Sequence, residues 1–155
     1  MAADRSKIKL VVEKIKSQFD SKLVADPPTA TKPFRKVIEG EATFVEHARP
    51  FITIMAIGAK TISVTDDDKM IEVTVLCRLV TDVLEAGPTD ELFDKVGAVD
   101  DYFDSIIAGG MIDGAEGFDA RSWKFGYPRE TSGARVAFAE CTQTFVVKVD
   151  RSDNR

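Results

Sequence analysis

The sequence predicts an α+β domain: a mainly antiparallel sheet with a long hairpin, packed against an N-terminal helix and a central helix. Three observations predict it. Apolar residues recur every three or four positions in two separate stretches, Ile8 to Phe19 and Leu92 to Ile106. Ile71, Val73, Val75, Cys77 and Leu79 alternate with Glu72, Thr74 and Arg78. The strand-like segments also come in groups, a hairpin before the central helix and a strand pair after it, which favours an antiparallel sheet over alternating βαβ units.

In the first helix Ile8, Val11, Val12, Ile15 and Phe19 form one stripe, with Lys7, Lys9, Lys14 and Lys16 in the intervening positions. Asp26, Pro27 and Pro28 stop it, because proline lacks an amide donor and drives the preceding residue toward extended geometry. A loop of about ten residues is expected next. Phe34 to Ile38 reads as a short strand, broken by Glu39, Gly40 and Glu41 before a second weak segment around Phe44.

Pro50 opens a strand from Phe51 to Ile57, dense enough in apolar residues to be covered on both faces, and Thr61 to Thr65 continues it past a bulge at Gly58. Asp66, Asp67 and Asp68 make an acidic hairpin tip before the alternating strand Ile71, Val73, Val75, Cys77, Leu79. Gly87, Pro88, Thr89, Asp90 and Glu91 punctuate the chain and place acids at the positive end of a helix running from 89 to 108. Gly109 and Gly110 end that helix. Met111 to Ala120 reads as an exposed loop, Trp123, Phe125 and Tyr127 as a strand, and Val136 to Val149 as a last strand with a bulge between Phe138 and Phe145. Residues 1–155 are expected to form a single domain with an ordered core at 5–149, an extended arm at 26–49 and a frayed tail at 150–155.

The composition narrows the function. With 44% apolar and 30% charged residues the chain is globular, and a net charge of −5 argues against a general nucleic-acid coat. Two cysteines and one histidine are too few for a Cys/His zinc site or a disulfide framework, and a reduced, cytoplasmic chain fits best. The most apolar run, Phe51 to Ala59, is about half the length needed to span a bilayer, and no secretory segment follows the N-terminus.

No catalytic motif is present. Asp66, Asp67 and Asp68 diverge at a tip and lack the glycine and distal glutamate of a calcium loop. Asp100, Asp101 and Asp104 gather on one helix face, but nothing nearby in sequence supplies a partner for acid/base work. His47 is expected to face solvent, and Cys77 and Cys141 to be buried in strands as inert thiols. Glycines 109, 110, 114 and 117 follow a helix instead of opening one, which is the wrong polarity for phosphate. No cofactor and no bound metal are expected.

Charge is strongly segregated. Asp82 to Asp119 holds eleven acids against Lys95 alone, whereas Met1 to Lys22 holds six bases against three acids. Such asymmetry suits head-to-tail contact between copies or a channel lined by one sign of charge, and equally the simple solvation of separate faces.

The element order is carried by the first helix, the hairpin PFITIMAIG and KMIEVTVLCRLV, the helix TDELFDKVGAVDDYFDSII, and the strands WKFGY and ARVAFAECTQTFVVKV. It resembles the tail terminator, or tail-completion, proteins of long-tailed bacteriophages. The resemblance is one of architecture and length over residues 5–149. It implies a non-enzymatic virion protein, made in the host cytoplasm, that forms a homohexameric ring at the tail–neck junction. Its implied partners are other copies of itself, the tail tube protein and the neck or head-connector protein, with DNA only in transit and no membrane. It makes Asp66, Asp67, Asp68, Met111, Asp113 and Glu116 candidates for contact with tube or neck, and Asp100, Asp101 and Asp104 candidates for the lumen wall, where negative charge keeps DNA from sticking. The alternatives are another head–tail joining protein, a small binding module built on the hairpin and the aromatic strand, and, ranked last, a metal-dependent hydrolase on the acidic segment.

Overall fold

The computed structural model describes residues 2–40, 48–65, 68–82, 90–108, 115–118, 121–126 and 136–150. The chain runs α1 (Ala2–Leu23), β1 (Lys36–Glu39), β2 (Phe51–Val64), β3 (Asp68–Asp82), α2 (Asp90–Ala108), β4 (Ala115–Phe118), β5 (Lys124–Gly126) and β6 (Val136–Asp150). This is an α+β fold. The strands form one sheet in the order β1-β2-β3-β6-β4, with β5 also on β6, and every pairing except β1 with β2 is antiparallel.

Period two decides which face of the sheet is covered. Ile71, Val73, Val75, Cys77 and Leu79 of β3 lie on the same side as Ala137, Ala139, Cys141, Phe145 and Val147 of β6, and all are buried. The stripe of α1 (Val11, Val12, Ile15, Phe19) and that of α2 (Leu92, Val99, Phe103) complete this core. Phe19 joins the two helices, stacking edge-on against Phe103 at 5.2 Å and tilted against Tyr102 at 5.7 Å. Tyr102 also donates a hydrogen bond to Gln18 Oε1 at 2.9 Å. On the opposite face a smaller cluster, Phe51, Val80 and Val136, is buried beside Phe138 and Ile38.

The two helices and the hairpin fall where the sequence places them, and α2 begins one residue later than expected. The bulge near Gly58 is present as a register shift between Ala56 and Gly58, and a second follows between Thr61 and Ser63.

Three expectations are corrected. β6 carries no bulge against β3: the register is continuous from Val136↔Asp82 to Asp150↔Asp68. The apparent change of phase arises because both faces of β6 take apolar residues, Phe138 and Val136 on one side and Phe145 on the other, while buried Gln143 interrupts the inner row. The loop expected at 111–120 contains a strand, β4, paired with β6 from Ala115↔Val147 to Phe118↔Thr144. The arm expected at 26–49 is tied to its own chain over its first half: Phe34 is fully buried, and Val37 of β1 is buried beside it. Phe34 also exchanges backbone hydrogen bonds with Leu23 and Ala25. Gly40 ends β1 with φ of 104° and donates its amide to Ile54 O at 2.9 Å. Asp150, expected to begin the frayed tail, instead ends β6 paired with Asp68, while Phe44, His47 and 151–155 lie outside the described residues.

The cover expected on both faces of Phe51 to Ile57 is corrected as well, since it ends at Ile54 and the hairpin changes character beyond it. Phe51 to Ile54 of β2 are buried on both faces, but Ile57 to Val64 are all exposed, with Ile57, Ile62 and Val64 between 44% and 55% accessible. Among the described residues only β3 pairs with this outer half, because β1 stops opposite Ile54.

Candidate functional site

The polar side chains that converge most closely lie where α2 meets the segment after β4. Asp100, Phe103 and Asp104 stand three and four residues apart on α2, so they share one side of the helix. Arg121, in the connection between β4 and β5, reaches across them. Its Nε donates to Asp100 Oδ1 at 2.7 Å, its Nη2 to Asp100 O at 3.0 Å and also to Asp104 Oδ1, and its Nη1 to Gln143 Oε1 of β6 at 2.9 Å. The guanidinium carbon sits 5.3 Å from the centroid of the Phe103 ring. Trp123 Nε1 adds a hydrogen bond to Asp100 Oδ1 at 2.9 Å.

The Arg121 side chain is only 7% exposed, whereas that of Asp104 is 66% exposed. Burial works against the guanidinium's charge, but the hydrogen bonds and charges of Asp100 and Asp104 outweigh it and raise its pKa. The hydrogen bond from Arg121 in turn lowers the Asp100 pKa, against the opposing effect of burial and with help from Trp123.

This geometry corrects the reading of the acidic helix as lacking a partner. The carboxylate oxygens of Asp100, Asp101 and Asp104 do lie within 4.8 Å of one another, as a hard cation would require. The positive charge that answers them belongs to Arg121, which already occupies Asp100 and Asp104. The cluster is a clamp joining α2, the β4–β5 connection and β6. Arg121 was missed in the sequence because its partners are 17 and 21 residues away. The available signal was the pair of acids one helical turn apart.

The remaining candidates are dispersed. Asp68 opens β3, Glu116 lies in β4 opposite Val146, and Asp66, Asp67, Met111 and Asp113 fall outside the described residues. Cys77 and Cys141 face each other across β3 and β6, both buried and both free. Burial pushes the Cys77 thiol well up, and the neighbouring Cys141 adds to the effect. On the uncovered face Arg78 pairs with Glu140 directly opposite it, Nη2 to Oε2 at 2.8 Å, and lies over the Phe138 ring. Phe93 of α2 and Phe125 of β5, 48% and 44% exposed, stack edge-on at 5.4 Å.

No described helix is long and apolar enough to cross a membrane. No protein-family model and no curated protein matches the chain.

Proposed function

We propose that this chain is a structural assembly protein of a long-tailed bacteriophage, a tail terminator that closes into a ring, caps the tail tube and presents its other side to the neck. The observation that carries this reading is the outer half of the β2–β3 hairpin. A strand that is buried for four residues and then runs exposed from Ile57 to Val64, with Ile57, Ile62 and Val64 accessible, presents among the described residues an edge that other chains can complete. An assembly subunit needs such an edge. The convergent polar cluster at Arg121 supports the same reading, since its charges are engaged with one another and serve to hold elements together. The acidic trio has no separate part in the proposal, because Arg121 takes two of its three carboxylates.

The test is absolute mass by light scattering across concentration, negative-stain imaging, and binding to preformed tail tubes. A ring near six times the 17.0 kDa chain mass, or a ring seated on tube ends, supports the proposal. A chain that stays monomeric and ignores tube ends overturns it.

A further inference from the structure

We propose that the flank of α2 carrying Phe93 and Gly97 is the docking surface for α1 of a second copy of this chain; the inference rests on the ring reading and names the contact that would build the ring. The two helices share one face of the sheet, α1 lying across β1, β2, β3 and β6 and α2 against β3 and β6. They meet through Gln18 and Tyr102. At 100° per residue, Phe93 and Gly97 project from the side of α2 away from Tyr102, and Lys9 and Lys16 from the side of α1 away from Gln18.

The α2 flank has two features that the described residues do not account for. Phe93 and Phe125 form an exposed aromatic pair. Gly97 is exposed in the middle of a helix, a position where glycine is a poor choice, and a Cβ placed there would meet nothing within 4 Å. Among the described residues nothing requires the side chain to be omitted, whereas a second backbone passing close by does. Asp101 lies one turn further along the same ridge and is exposed.

Charge selects the occupant. α1 carries six bases and three acids, with Lys9 paired to Glu13, and α2 six acids and one base, with Asp100 and Asp104 held by Arg121 and the other four acids left to set its sign. A twofold contact through either helix would set like charge against like. A head-to-tail contact brings the basic helix of one copy onto the acidic helix of the next, and repetition of that contact is what generates a ring.

The experiment compares the mass and assembly midpoint of the full chain with those of Gly97→Ala, Gly97→Leu, Asp101→Lys, Lys9→Glu/Lys16→Glu, and the last two combined. Melting curves show that each variant folds. Gly97→Ala should melt no lower than the parent, and Gly97→Leu should raise the midpoint concentration about tenfold or more by filling the gap. The two charge variants should each weaken assembly, and their combination should recover part of the loss. If the parent forms rings and all variants assemble with the parent's midpoint, the ring reading stands and this contact is overturned. If the parent forms rings only on tail tubes, the same variants are compared there, and rings formed equally by all of them overturn the contact; a parent that forms rings in neither setting overturns the contact together with the ring reading.

Discussion

Cys77 stands directly opposite Cys141 across the β3–β6 ladder, and the two thiols face the helices from the centre of the buried side. In this position they pack as small apolar groups, and the raised Cys77 pKa keeps that residue a thiol at neutral pH. A thiol-specific reagent should therefore label the folded chain far more slowly than the urea-unfolded chain, in which both cysteines react. Rapid labelling of both in native buffer would show that β3 and β6 separate readily.

Arg121 is the second point at which the fold is exposed to a single change. Its replacement by Met would remove the donor that Asp100, Asp104 and Gln143 share, leaving Asp100 the hydrogen bond from Trp123. Removing one partner of a fully buried pair costs about 3–5 kcal/mol. Asp104 is 66% exposed and water can replace part of what is lost there, so the expected cost is about 2 kcal/mol. Asp104→Asn should cost about 1 kcal/mol or less, because that carboxylate is mostly solvated. Urea midpoints at constant slope check both, and equal effects would mean that Arg121 does not act as the hub.

The same clamp sets the sign of an acid dependence. The Asp100 pKa is held below its ordinary 3.8 by the hydrogen bond from Arg121. The folded state therefore binds this proton less readily than the unfolded chain. Its contribution to stability is complete above the unfolded value and is lost as the pH falls through the folded one. Stability measured from about pH 5 down to about pH 2 should fall less steeply in Asp100→Asn than in the parent. An identical slope would assign the acid loss to other carboxylates.

Periodicity made much of this legible in advance. α1, α2 and β3 each bury enough of one face for spacing to reveal them, and β2 and β6 show as dense apolar runs. β4 was hidden because Ala115–Phe118 is four residues long, contains Gly117, and owes its strand geometry to pairing with β6. The phase of β6 misled for a different reason: Gln143, buried on the inner face, looks like a break in pattern until Arg121 is seen donating to it. The candidate site was half visible, since the acids of α2 are adjacent in sequence and their cation is not.

The outer hairpin offers the test that separates folding from assembly. Ile57 and Ile62 are 49% and 44% exposed and lie at the two register shifts of β2, so they contribute little to the core. Replacing each by Lys should change stability by no more than about 0.5 kcal/mol, as for other surface positions. A charged side chain on an unpaired edge also opposes strand addition by another chain. The double variant should therefore melt with the parent yet lose oligomer, or lose seating on tail tubes, in the same scattering and imaging experiments. A variant that loses stability instead would place these side chains inside the domain's own packing. A variant that keeps both stability and assembly would remove the hairpin edge from the contacts between chains.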